Sequence, residues 1–149
     1  MNAPQRSKAR SAARLAAVQA LYQRQMEDTP LARLLDEFHQ HRLGQEIEDT
    51  QYAEAEVAFF DDVVRGVAAR EEEIDTLLGS RLAEGWSLQR LDKTMLQILR
   101  AGAYELLARP DVAVGTVISE YLDVAHAFFD AREAKFVNGV LDAVAKAAR

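Results

Sequence analysis

The chain has 149 residues, a net charge of −6 at pH 7 and no cysteine. That length holds one domain, or two small helical halves sharing a core, without needing a metal or disulfide staple. The missing cysteines exclude disulfides, cysteine-ligated zinc and cysteine nucleophiles.

The first helix is predicted over about Lys8 to Glu27, with Leu15, Val18, Tyr22 and Met26 as its apolar stripe and alanines at 12, 13, 16, 17 and 20 raising helix propensity. Asp28-Thr29-Pro30 ends it, and Thr29 is placed to cap the next helix with Pro30 at its first position. The second helix runs from about Leu31 to His41 with Leu31, Leu34, Leu35 and Phe38 inward, and Gly44 to Thr50 reads as a connection. A third covers about Tyr52 to Ala69 and buries Val57, Phe60, Val64 and Val67; Gly66 inside it implies close packing. A short fourth helix carries Ile74, Leu77 and Leu78, and a turn-like stretch between Gly79 and Gly85 ends at Trp86. A short turn at Leu88–Leu91 precedes Asp92, which starts a long helix filled by Met95, Leu96, Ile98, Leu99, Ala103 and Leu106 and stopped at Arg109-Pro110-Asp111. The last two helices span about Val114 to Phe128 and Arg132 to Lys146; in the latter, Phe136, Val137, Val140, Leu141 and Val144 face inward and Gly139 permits close helix contact. The expectation is an all-α fold of six or seven helices in two small helical bundles packed as one compact domain, residues 1–80 and 81–149, with a seam near Ser80–Ser87.

Charge is unevenly distributed along these elements. Residues 1–26 hold five basic residues and no acid, leaving 13 basic and 24 acidic residues, so +5 faces −11. A basic arm on an acidic body fits a polyanion, although on composition alone a solvated basic helix face accounts for it equally well. Arg6, Arg10 and Arg14 recur every four residues and form a stripe beside the apolar face, matched to successive phosphates, with Ser7 and Ser11 adding small hydrogen-bonding groups. No GxxxxGK[ST], GxGxxG or HExxH string occurs. His39 and His41 lie two apart and point to different sides of a helix, and no metal, cofactor or catalytic set is expected. No apolar stretch is long enough to span a bilayer, and Leu15–Tyr22 is interrupted by Gln19, so the chain is read as beginning near Met1 and working in the cytoplasm.

Several strings carry a family resemblance. The stretch from Asp92 through the ILRAGAYEL string ending at Leu106 resembles the pattern of the NusB family, an acidic helix start followed by ILR-x-GAYEL. Arg109-Pro-Asp-Val-Ala-Val114 is similar to the family's loop, and Val117-Ile-Ser-Glu120 with Leu122-Asp-Val-Ala125 resembles its VxINE…ELA helix. Lys135 to Asp142 reads KFVNGVLD, as in the family signature; Arg10, Arg14 and AVQALY ending at Tyr22 match its basic start; and Asp61 through Gly66 resembles its central helix.

The resemblance implies two small helical bundles and a non-enzymatic RNA-binding factor. Such a factor joins the small-subunit ribosomal protein also called NusE. The pair binds the boxA element of nascent RNA and helps RNA polymerase read through terminators on ribosomal RNA operons. Carried onto this chain, the RNA face includes Arg6, Lys8, Arg10 and Arg14, completed by Phe128, Arg132 and Lys135 around the turn before the last helix; Tyr22, Asp92 and Glu105 are the candidates for the face that meets a basic protein partner. The segment between Phe128 and Lys135 departs from the family, with Phe-Asp-Ala-Arg-Glu-Ala where relatives tend to have a glycine and an acidic or serine-containing turn. Two rival classes stand beside this reading: a NusB-like module serving a separate RNA methyltransferase chain, and a helical adaptor that binds only protein. A homodimer with a hidden RNA face has the same sequence signature.

Overall fold

Nearly every described residue lies in a helix or a short turn between helices. The computed structural model describes residues 3–43 and 50–149, so the connection expected at Gly44 to Thr50 lies almost wholly outside the described residues. Among the described residues seven α-helices follow in order: α1 Ala3–Glu27, α2 Leu31–His41, α3 Thr50–Ala69, α4 Glu71–Ser80, α5 Lys93–Ala108, α6 Val114–Phe128 and α7 Ala131–Ala148, with one 3-10 turn at Leu88–Arg90 before α5. No strand occurs among the described residues. The chain divides into two compact units, residues 1–66 and 67–149, so the boundary falls within α3. The seam expected near Ser80–Ser87 lies farther along the chain, because Ile74 and Leu78 of α4 are wholly buried and α4 packs on α5.

In the first unit, α1 begins five residues earlier than the apolar pattern predicts, because Pro4 is tolerated in a first turn whose N–H groups have no helical partner. Asp28 ends it in the left-handed conformation, φ 53°, which Asp adopts more readily than most residues. Thr29 does not cap α2: the N-cap residue is Pro30, with no side-chain cap, and its carbonyl accepts from the Leu34 N–H. Leu34, Leu35 and Phe38 of α2 are buried, as are Phe59, Phe60, Val63 and Val64 of α3. The Phe38 and Phe60 rings stack with centroids 5.4 Å apart.

In the second unit α5 is the central rod. It packs against α4, α6 and α7, and residues 95–99 and 101–106 are all buried. A helix apolar on all sides needs neighbours on all sides. Asp92 caps it, accepting from the Thr94 and Met95 N–H groups at 2.8 and 3.2 Å. Gly102 lets α7 come close: a Cβ there would lie 2.9 Å from Leu141 Cδ2. Gly139 faces open space, so the close contact expected there belongs to Gly102 instead. Asp130 caps α7 by accepting from the Arg132 N–H at 3.0 Å. Arg149 closes the unit. Its guanidinium donates to the carbonyls of Leu106, Val112, Glu105 and Arg109 at 3.0, 2.6, 3.2 and 2.6 Å. Those carbonyls lie in the last turn of α5 and the loop after it, and those of Glu105 and Arg109 also accept from the Arg109 and Val112 N–H groups.

Candidate nucleic-acid interface

Each unit carries its own set of the expected RNA-facing residues. On α1, Arg6 and Lys8 are exposed, Arg10 is half-buried and Arg14 is only 2% exposed. Four residues on an α-helix advance about 40° around the axis beyond a full turn. A stripe spaced in fours therefore drifts, here from solvent into the core. The guanidinium carbons of Arg10 and Arg14 lie 4.9 and 4.8 Å from the centroid of the buried Phe59 ring. Arg14 is thus a structural cation and not a phosphate contact, which corrects the expectation placed on it. Ser11 is also occupied, donating its hydroxyl proton to the Ser7 carbonyl at 3.0 Å. The remaining exposed cations of this arm are Arg6 and Lys8, with Arg10 at its edge.

In the second unit the relevant residues gather around the start of α7. Phe128 ends α6 with 43% of its surface exposed, its ring 6.4 Å from that of Phe129. Asp130 holds the turn, and its carboxyl sits below the ordinary value of 3.8 through a hydrogen bond with the Glu133 side chain and then the Arg132 N–H. Arg132 and Lys135 follow on the exposed face. This places aromatic surface and cations on one helix start, the combination that holds single-stranded nucleic acid. Beside it lies Trp86, 55% exposed, with its ring 6.3 Å from Phe136. Sequence reading passes over Trp86 because it lies between helices, where periodicity carries no signal; its isolation in a polar turn is the available hint.

The partner-facing set divides as well. Tyr22 is 40% exposed and lies one turn from Met26, 54% exposed, so α1 presents an uncovered apolar edge. Asp92 is exposed while capping α5. Glu105 is wholly buried and accepts the Tyr121 hydroxyl proton at 2.5 Å, so it serves the core of the second unit and is corrected out of the partner face. His39 pairs with Asp61 Oδ1 against the edge of Phe60, an arrangement that orders α2 and α3. Among the described residues, no three His, Asp or Glu side chains gather as a metal site, and no helix is long and apolar enough to cross a membrane.

Comparison with known proteins bears on the whole chain. The model of the NusB family matches residues 11–146. The chain is 78% identical over 142 residues to the transcription antitermination protein NusB of Novosphingobium aromaticivorans, covering 95% of this chain and 96% of the relative. It is 33% identical to a structure of T. maritima NusB, with a TM-score of 0.75 and coverage of 92% of this chain and 90% of that one. A chain in the crystal structure of antitermination factors NusB and NusE in complex with double-stranded RNA is 26% identical, with a TM-score of 0.76 and coverage of 94% and 98%.

Proposed function

This chain belongs to the NusB family, and from that premise we infer that it is an RNA-binding transcription antitermination factor that works with the ribosomal protein NusE. The single observation that carries the reading is 78% identity to an antitermination NusB over nearly the full length of both chains. The likeness to a chain crystallised with NusE and RNA supports the two partners.

The finer reading is that the RNA is the boxA element of nascent transcripts, ribosomal RNA operons among them, and that Arg6, Lys8, Arg10, Phe128, Arg132 and Lys135 contact it. Tyr22 and Asp92 face the basic ribosomal protein, by apolar contact and by charge. The assembly joins the elongating RNA polymerase in the cytoplasm. The mechanism is recruitment: each contact raises the local concentration of the next component, and no bond is made or broken. A homodimer that occludes the RNA face is the resting alternative, visible as a mass that halves when RNA is added.

The test is fluorescence anisotropy of labelled boxA RNA titrated with this protein, alone and with NusE. Tighter binding in the presence of NusE, lost on scrambling boxA, is the expected result. No RNA binding in either condition overturns the reading in favour of a protein-only adaptor.

A further inference from the structure

Two arginines of α1 meet one ring of α3. The guanidinium carbons of Arg10 and Arg14 lie 4.9 and 4.8 Å from the centroid of Phe59, and Phe59 is itself buried. The two cations differ in what they can reach. Arg14 is buried in the first unit, whereas Arg10 is half-buried and stands one turn from the exposed Arg6. Arg10 therefore has an aromatic surface on one side and solvent on another. A long side chain loses rotamer freedom when a bound phosphate fixes it, and that loss weakens binding. A guanidinium already held over a ring has lost part of that freedom beforehand. Arginine suits both tasks, since its planar group lies against a ring and presents a fork to a phosphate, whereas lysine keeps the charge and lacks the plane.

We propose that Phe59 is a positioning residue for RNA: its ring, contributed by α3, holds the Arg10 guanidinium in place for a single-strand phosphate. The inner end of the basic arm is then set by α3 and not by α1 alone. Phe59 is buried and touches no RNA in this arrangement; it acts only through Arg10. The inference rests on the reading of the chain as RNA-binding, with Arg10 among the contacts.

The test is a double-mutant cycle on the full chain, read by anisotropy of labelled boxA RNA with NusE present, over a range of salt concentrations. Phe59→Leu keeps an apolar side chain at the buried position and removes the ring. It should weaken binding by about two- to twelvefold, the cost of ordering one long side chain on binding. Its slope of log affinity against log salt should match the parent's, because the number of phosphate contacts is the same. Arg10→Ala should weaken binding and make that slope shallower by about 0.7. In the Arg10→Ala background Phe59→Leu should have no further effect, whereas damage to the fold would add to the loss. Phe59→Tyr, which retains the ring, should bind as the parent does. Arg10→Lys serves if Phe59→Leu does not fold: it should keep the slope and lose affinity by about the factor given for Phe59→Leu. A folded Phe59→Leu with the parent's affinity overturns the proposal, as does a loss that persists in the Arg10→Ala background, or Arg10→Lys binding as the parent does. Coupling of Arg10 to Glu56, buried one turn earlier on α3, in place of Phe59 overturns it too. Arg10→Ala with the parent's affinity and slope removes Arg10 from the RNA face and the proposal with it. Each of these outcomes leaves the RNA-binding reading standing; absence of RNA binding by the parent, with and without NusE, overturns both.

Discussion

Two guanidinium groups share one ring. Arg10 and Arg14 lie within 5 Å of the Phe59 centroid, and a desolvated cation over an aromatic face contributes up to about 2 kcal/mol. Arg14→Ala should therefore destabilise the fold, by about 1–3 kcal/mol as for other buried polar groups deprived of their partners, with chemical denaturation as the measurement. Arg6→Ala should leave the denaturation midpoint unchanged, because Arg6 is exposed. Its effect should appear in RNA binding: removing one ion pair with a single-strand phosphate makes the slope of log affinity against log salt shallower by about 0.7. An Arg6→Ala variant with the parent's slope would remove Arg6 from the RNA face. Tyr121→Phe makes the complementary point inside the second unit. Without the hydroxyl, buried Glu105 loses a donor, at a cost of about 1–3 kcal/mol, while NusE affinity of the folded protein stays the same. The stripe of arginines is legible in the sequence, but its gradient of burial is not. A four-residue spacing fixes neighbours along a helix, whereas the slow rotation of that stripe into the core depends on where the partner ring sits.

Helix existence is legible because each apolar stripe has to be covered by a neighbour; α6 runs from Val114 to Phe128 as its spacing predicts. Capping is legible where an aspartate precedes the stripe, as at Asp92, and illegible at Thr29, where the helix starts from Pro30 without any side-chain bond. Asp92 consequently has a structural role whether or not it meets the proposed protein partner. Asp92→Lys should lower stability by about 0.5–2 kcal/mol through loss of the cap, so a weakened NusE complex must be judged against Asp92→Asn, which retains capping and removes the charge. Weak NusE binding by the Lys variant but not by the Asn variant would assign the effect to the cap or to the introduced cation. At the α5–α7 crossing, Gly102→Ala would force its Cβ to within 2.9–3.0 Å of both Leu141 methyls. Leu141 is wholly buried and has little room to yield, and overpacking of this kind costs about 1–3 kcal/mol; thermal melting measures it. Gly139→Ala, facing open space, should instead be neutral or stabilising.

Along the chain, the first 26 residues carry a net charge of +5 and the remainder −11. Acid should act on this balance through particular carboxylates. Asp130 and Glu73 have folded-state values below 3.8 and 4.5, Asp130 through Glu133 and the Arg132 N–H, Glu73 through its hydrogen bond with Arg70. Their contribution to stability is fully present above the unfolded values and is lost as pH falls through the lower folded ones. Denaturation midpoints should thus hold steady near neutrality and drop below about pH 4, with Asp130→Asn showing a smaller acid-induced decline. Arg149 has a different kind of consequence. Because its guanidinium spans the carbonyls of Glu105, Leu106, Arg109 and Val112, the end of α7 opens only together with the end of α5 and the loop beyond it. Terminal turns ordinarily exchange their amide hydrogens within the fastest class. Here the amides of residues 145–149 should exchange at the rate of the α5 terminus, as one cooperative segment, and Arg149→Ala should release them to fast, independent fraying.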